Sequence, residues 1–178
     1  MASRISKKTR LIIMTIVIVV VVVIVGIALS RNSSSQSDIT LPIITWNETT
    51  LSALEGTPVM LNFWSIDCPA CRQQLHYLEA VAQQDEEGLK VIAVNVADNA
   101  ARIQTFFGDY EPTMIIALDN NGEAFVDYCL AYNNTRGYIP FTILIDSEGI
   151  VQHVKIGSFM NEDELLDTLH DVFGINIP

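Results

Sequence analysis

The chain has 178 residues, with 10 Lys and Arg against 21 Asp and Glu, a formal net charge of −11 and three cysteines. An acidic chain repels nucleic acid and anionic headgroups and favours basic partners, although plain solubility would account for the same charge. Three cysteines are too few for a disulfide scaffold and too odd in number for complete pairing.

The chain opens on Arg4, Lys7, Lys8 and Arg10, followed by Leu11 to Leu29, an uncharged aliphatic run. At about 1.5 Å per residue this run spans roughly 28 Å, close to the hydrocarbon thickness of a bilayer. It is longer than the apolar core of a secretory signal, although Ala28 and Ser30 leave a small-residue cleavage site open. The cations before the run predict residues 1–10 in the cytoplasm, a transmembrane helix over 11–29 and everything beyond it outside the cell membrane. Residues 30–38 are Ser/Asn/Gln-rich and read as a linker. The single domain expected over 39–178 holds five cations and 20 anions, a net −15, or −16 with Asp38 counted.

Within that domain, Ile39 to Trp46 reads as a short edge strand broken by Pro42, and Thr49 to Glu55 as a helical turn ended by Gly56. Val59 to Trp64 is apolar and bounded, as a buried parallel strand should be. Helix is expected from Pro69 to about Gln84, with Leu75, Leu78, Val81 and Ala82 on one face. Leu89 to Val96 is a second buried strand. Asn99 to Phe107 is a helix capped by Asp98 or Asn99. Thr113 to Leu118 is a third strand, Asp119 to Gly122 a turn and Glu123 to Tyr132 a helix. Phe141 to Ile145 and Ile150 to Ile156 form a hairpin, and a last helix starts at Asn161 with Glu164 in a capping-box-like position. The alternation predicts an α/β domain, a central mixed sheet with helices on both faces.

Chemistry concentrates at Cys68-Pro69-Ala70-Cys71. A strand that hands over to a helix here points the helix's unpaired N–H groups at the first cysteine and favours its thiolate. The thiolate is the form that attacks disulfides. A second cysteine three residues on can close a small ring and release what the first has captured. Zinc would need another ligand pair, and Cys129, His76, His153 and His170 stand singly. Cu(I) binding through the two thiolates is chemically open, so a Cu(I)/thiol chaperone or a binding module with little turnover is the alternative reading. A peroxidase fits less well, because Ser65-Ile66-Asp67 lacks the Thr and Pro that precede a peroxidatic cysteine. No cofactor beyond the cysteines and no metal site is expected. Cys129 reads as a small buried hydrophobe.

The order of strand, C-x-x-C helix, βα elements, Ile139-Pro140, hairpin and terminal helix resembles the thioredoxin fold. The stretch Gly56 to Trp64 and the segment Pro140 to Asp146 are similar to those of TlpA/ResA-like membrane-anchored thiol–disulfide oxidoreductases. That resemblance implies Cys68 as exposed nucleophile, Cys71 as buried resolving thiol and Pro140 as a cis-proline. It also leaves the backbone of Ile139 free to pair with an extended substrate. Trp64, Asp67, Pro69, Ala70 and Ile139 are then the candidate substrate contacts, with Trp64 also readable as packing beneath the site. The implied function is reduction of protein disulfides, of the cytochrome c maturation type. A basic protein such as apocytochrome c would be the client, and a transmembrane donor would supply electrons.

The chain departs from that pattern in four places. Asp67 stands where the family usually has Trp, and like-charge repulsion should raise the Cys68 pKa. Asn62 and Gln74 replace the two carboxylates that serve relatives as proton acceptors, which leaves Asp67 as a candidate substitute. Pro69 followed by Ala70 occurs in some oxidising and glutaredoxin-like sites, so the direction of electron flow stays open.

Overall fold

The computed structural model describes residues 54, 56–84, 88–96 and 98–175, the pairs 40–41 and 49–50, and residues 8, 14 and 16–18. The chain divides into two units, Met1–Ser35 and Gln36–Pro178. Of the first, Lys8, Met14 and Ile16 to Ile18 are helical and exposed. The rest of the expected span 11–29 and the linker lie outside the described residues. No described helix is long and apolar enough to cross a membrane.

The second unit begins with two short strands, β1 (Thr40–Leu41) and β2 (Thr49–Thr50), paired antiparallel. The helical turn expected from Thr49 is therefore corrected at its start. Two adjacent β-branched threonines favour extended backbone, and β1 supplies the partner. The remainder of 39–46 lies outside the described residues.

The main sheet has five strands in the order β5-β4-β3-β6-β7. These are β3 (Val59–Trp64), β4 (Lys90–Asn95), β5 (Ile115–Leu118), β6 (Phe141–Ile145) and β7 (Val151–Ile156). The chain moves outward through β3, β4 and β5, all parallel, and returns to add β6 antiparallel to β3 and β7 antiparallel to β6. The crossovers are α1 (Pro69–Gln83) and α2 (Ala100–Phe107); α3 (Glu123–Ala131) returns the chain to β6, and α4 (Glu162–Phe173) follows β7.

Alternation along β3 builds two cores. Met60 and Trp64 face Leu75 and Leu78 of α1, Ile103 of α2, and Leu165 and Leu169 of α4. Val59, Leu61 and Phe63 face Ala124, Tyr128 and Cys129 of α3. Two successive right-handed crossovers in one direction put α1 and α2 on the same face, and the reversal puts α3 on the other. All six residues of β3 are buried, and each large apolar side chain so buried contributes about 1.5–3 kcal/mol.

β5 starts later than expected, at Ile115, because the N–H groups of Thr113 and Met114 donate to the Glu79 carboxylate (2.8 and 3.2 Å). Asn99 is the cap of α2, accepting from Arg102 N–H at 2.9 Å. The cap of α4 is Asn161, while Glu164 accepts from Met160 N–H (2.6 Å) and Lys155 (2.6 Å).

Candidate active site

Cys68 is the N-cap of α1. Its backbone is extended (φ −93°, ψ 106°), Pro69 follows at the first helical position, and Cys71 N–H donates to Cys68 Sγ at 3.1 Å. Proline is pre-set for that position and has no N–H to leave unpaired there. The sulfur thus receives one of the orphan donors of the helix and sits at the positive end of its dipole.

Cys68 and Cys71 are joined by a disulfide with Cα atoms 5.2 Å apart. Cys68 is half-buried, Cys71 is 1 % exposed, and Pro69 and Ala70 are exposed between them. An incoming sulfur therefore reaches Cys68 first. Facing it, the Ile139 carbonyl oxygen lies 3.8 Å from Cys68 Sγ, and the Ile139–Pro140 bond is cis.

Asn134 fixes that facing loop. Its Nδ2 donates to the Tyr138 carbonyl (2.8 Å), and its Oδ1 accepts from the Tyr138 N–H (2.9 Å). Both backbone polar groups of Tyr138 are therefore engaged. Ile139 N–H makes no hydrogen bond among the described residues.

Asp67 is exposed and ion-paired to Arg102 of α2, Nη2 to Oδ1 at 2.7 Å. Hydrogen bonding and charge from Arg102 hold its carboxyl below the usual carboxylate range. A carboxylate so engaged is a weak base, which argues against the proton-acceptor role considered for it, and Arg102 also offsets the repulsion it would exert on Cys68. Asp98, the other cap candidate, is instead buried. It accepts from Ile66 N–H (2.9 Å), from Asn95 Nδ2 (2.9 Å) and from Arg102 Nη1. Arg72 donates to the Ile66 carbonyl at 2.7 Å. The turn before Cys68 is thus held from both α1 and α2.

Trp64, an expected substrate contact, is fully buried and packs against Phe106 and Phe107 with ring centroids 5.6 and 6.2 Å apart. It lies beneath the site, because the extended strand turns it to the α1/α2 face. Asn62 and Gln74 are buried and share one acceptor, with Asn62 Nδ2 at 2.8 Å and Gln74 Nε2 at 3.1 Å from Thr142 Oγ1. Gln74 Oε1 accepts from Phe159 N–H at 3.1 Å. Cys129 is buried in α3, away from the pair, and burial pushes its thiol pKa up, with a hydrogen bond from Asn134 partly opposing. Among the described residues no group of three or more His, Cys, Asp and Glu is placed to hold a metal ion.

Residue spacing left Arg102, Asn134 and Thr142 unremarked. Arg102 meets Asp67 from 35 positions away, and Thr142 meets Asn62 from 80. The local signals are the i,i+4 relations of Asp98 with Arg102 and of Asn134 with Tyr138.

Comparison with known proteins agrees with this geometry. Residues 34–169 match the Redoxin family. The thiol–disulfide oxidoreductase ResA of Geobacillus kaustophilus is 30% identical over 131 residues, covering 73% of this chain and 72% of its own. The thioredoxin-like protein YneN of Bacillus subtilis is 27% identical over 129 residues, covering 71% and 72%. In three dimensions, the exposed lipoprotein thioredoxin Etrx1 of Streptococcus pneumoniae superposes with a TM-score of 0.62 at 23% identity, over 76% of this chain and 99% of that one.

Proposed function

The chain belongs to the Redoxin family as a ResA-like thiol–disulfide oxidoreductase of thioredoxin fold, and we propose that it works as a membrane-anchored, extracytoplasmic reductant of protein disulfides. One observation carries the reading of the site. A half-buried Cys68 sulfur at a helix N-terminus is bonded to a buried Cys71 and faces the Ile139 carbonyl ahead of a cis-proline.

In the reduced protein, the Cys68 thiolate attacks one sulfur of a client disulfide. The client's S–S bond breaks, a mixed disulfide forms and one client thiolate leaves. Cys71, deprotonated, then attacks Cys68 Sγ, the mixed disulfide breaks and the second client thiolate departs. Two electrons have passed from the Cys68/Cys71 pair to the client, and the pair ends as the disulfide. The Cys71 N–H that now meets Cys68 Sγ would stabilise the thiolate at the start of the cycle. An extended client segment would lie along Ile139, with Pro69, Ala70 and Asp67 at its border.

The anchor would be the apolar run 11–29, and the acidic domain suits a basic client such as apocytochrome c. Electrons would come from a donor within the membrane. The test is to present a reduced full-length chain with a protein disulfide. Cys71→Ser should accumulate a mixed disulfide through Cys68, and Cys68→Ser should be inert. A reduction potential near or below about −250 mV supports the reducing direction, whereas one above about −150 mV would make the protein a disulfide donor. Protease added to intact protoplasts should digest the domain if it lies outside.

A further inference from the structure

Four charges are placed around the turn that delivers Cys68. Asp67 precedes the cysteine and Arg72 follows Cys71 on α1. Asp98 lies between β4 and α2, and Arg102 extends from α2. The facing loop ahead of β6 contributes the uncharged Ile139 and also carries Arg136, whose guanidinium donates to the Tyr138 hydroxyl at 3.0 Å, while residues 157–160 between β7 and α4 carry no charge. At the turn itself the balance is two cations against two anions, in a domain whose total is −15.

Arg102 holds that balance. One arm of its guanidinium reaches Asp98, whose side chain is 1 % exposed, and the other reaches Asp67, which is 74 % exposed. Asp98 in turn holds Ile66 N–H. The same side chain therefore fixes the turn from inside and pairs the carboxylate of the residue that precedes the reactive cysteine. Only a planar fork can serve two acids in these directions at once.

We propose that Arg102 is a positioning residue for thiol–disulfide exchange, neutralising Asp67 so that the helix N-terminus, and not the neighbouring carboxylate, governs the Cys68 thiolate. The proposal rests on Cys68 being the attacking thiol. An unpaired Asp67 would disfavour the thiolate by like-charge repulsion, and an unpaired Arg102 would favour it.

The test reads the pH dependence of iodoacetamide labelling of Cys68 by peptide mass mapping, on the reduced full-length chain. Arg102→Met should raise the labelling midpoint and slow the reaction at pH 7 roughly threefold, as a half-unit shift implies. Asp67→Asn should lower the midpoint, and the double variant should return near the parent. Arg102→Lys should keep the midpoint, because one charge remains, while losing thermal stability with the second contact. A purely structural role would change stability in these variants without driving the midpoint in opposite directions. If Arg102→Met fails to fold, the opposite shift in Asp67→Asn and the retained midpoint in Arg102→Lys still decide. Labelling of Cys71 ahead of Cys68 in the parent would overturn the Cys68 assignment and the proposal with it. First labelling at Cys68, with a midpoint indifferent to these substitutions, would overturn the proposal alone.

Discussion

Gln74 and Thr142 meet in the interior, Nε2 to Oγ1 at 3.1 Å, and so tie the cysteine-bearing helix to the strand that follows Pro140. Asn62 donates to the same hydroxyl from the central strand. One oxygen therefore satisfies buried amides from two elements. Thr142→Val keeps the shape and removes that acceptor, leaving two buried donors at about 1–3 kcal/mol each. Chemical denaturation of the oxidised protein should show a loss of roughly 2–6 kcal/mol, far above the loss expected from a well-tolerated swap.

The Asn134 bracket on Tyr138 gives a prediction about clients. Asn134→Ala frees both backbone groups of Tyr138 and lets Ile139 drift from Cys68. Because slight misplacement of a reacting partner is costly, reduction of a protein disulfide should fall roughly tenfold in kcat/KM. A small disulfide that needs no backbone pairing should be reduced at nearly the parental rate. Equal losses for both substrates would show that the loop does not guide the client.

Glu79 supplies a pH dependence. Burial raises the cost of its charge, but the N–H groups of Thr113 and Met114 and the Tyr110 hydroxyl outweigh it, so the folded pKa lies below the ordinary 4.5. A depressed carboxylate stabilises the fold fully above its unfolded pKa, and that contribution fades as pH falls through the folded value. Glu79→Gln should cost about 1.5–3 kcal/mol at pH 7. The gap from the parent should narrow on acidification below about pH 4.5, read as denaturation midpoints from pH 6 to pH 3.

Cys129 should be silent in the chemistry. With its thiol buried and its pKa raised, iodoacetamide at pH 7 should label it only after unfolding, whereas Cys68 reacts in the native reduced state. Cys129→Ala should leave disulfide reduction unchanged.

Much of this arrangement is legible along the chain. Largely apolar runs marked β3, β4 and β6, and the C-x-x-C between Trp64 and the period of Leu75 and Leu78 located the sulfur pair. The strand start at Thr49 escaped because its pairing partner, Thr40–Leu41, is what makes two threonines extended. Trp64 carried two readings, substrate contact and packing beneath the site. A central strand buries both faces, and the full burial of Trp64 fits the packing reading. Asp67 showed only its charge in the sequence. Its meaning depends on Arg102, and a long-range ion pair leaves no trace in spacing. Asp98 resembled a cap because short acids before helices usually are, and tertiary packing gave its oxygens to Ile66 and Arg102 instead.

The neutrality of the trio Asn62, Thr142 and Gln74 has a further consequence, for proton stoichiometry. None of the three can gain or lose a proton at any accessible pH. Between the carboxylate range and the thiol pKa values, reducing the pair should therefore take up two protons, one for each sulfur, with no third site joining in. For a two-electron couple with two protons, the midpoint potential should fall by about 59 mV per pH unit along a straight line. Its redox potential would then respond to acidity through sulfur alone, while acid acts on the stability of the fold through Glu79.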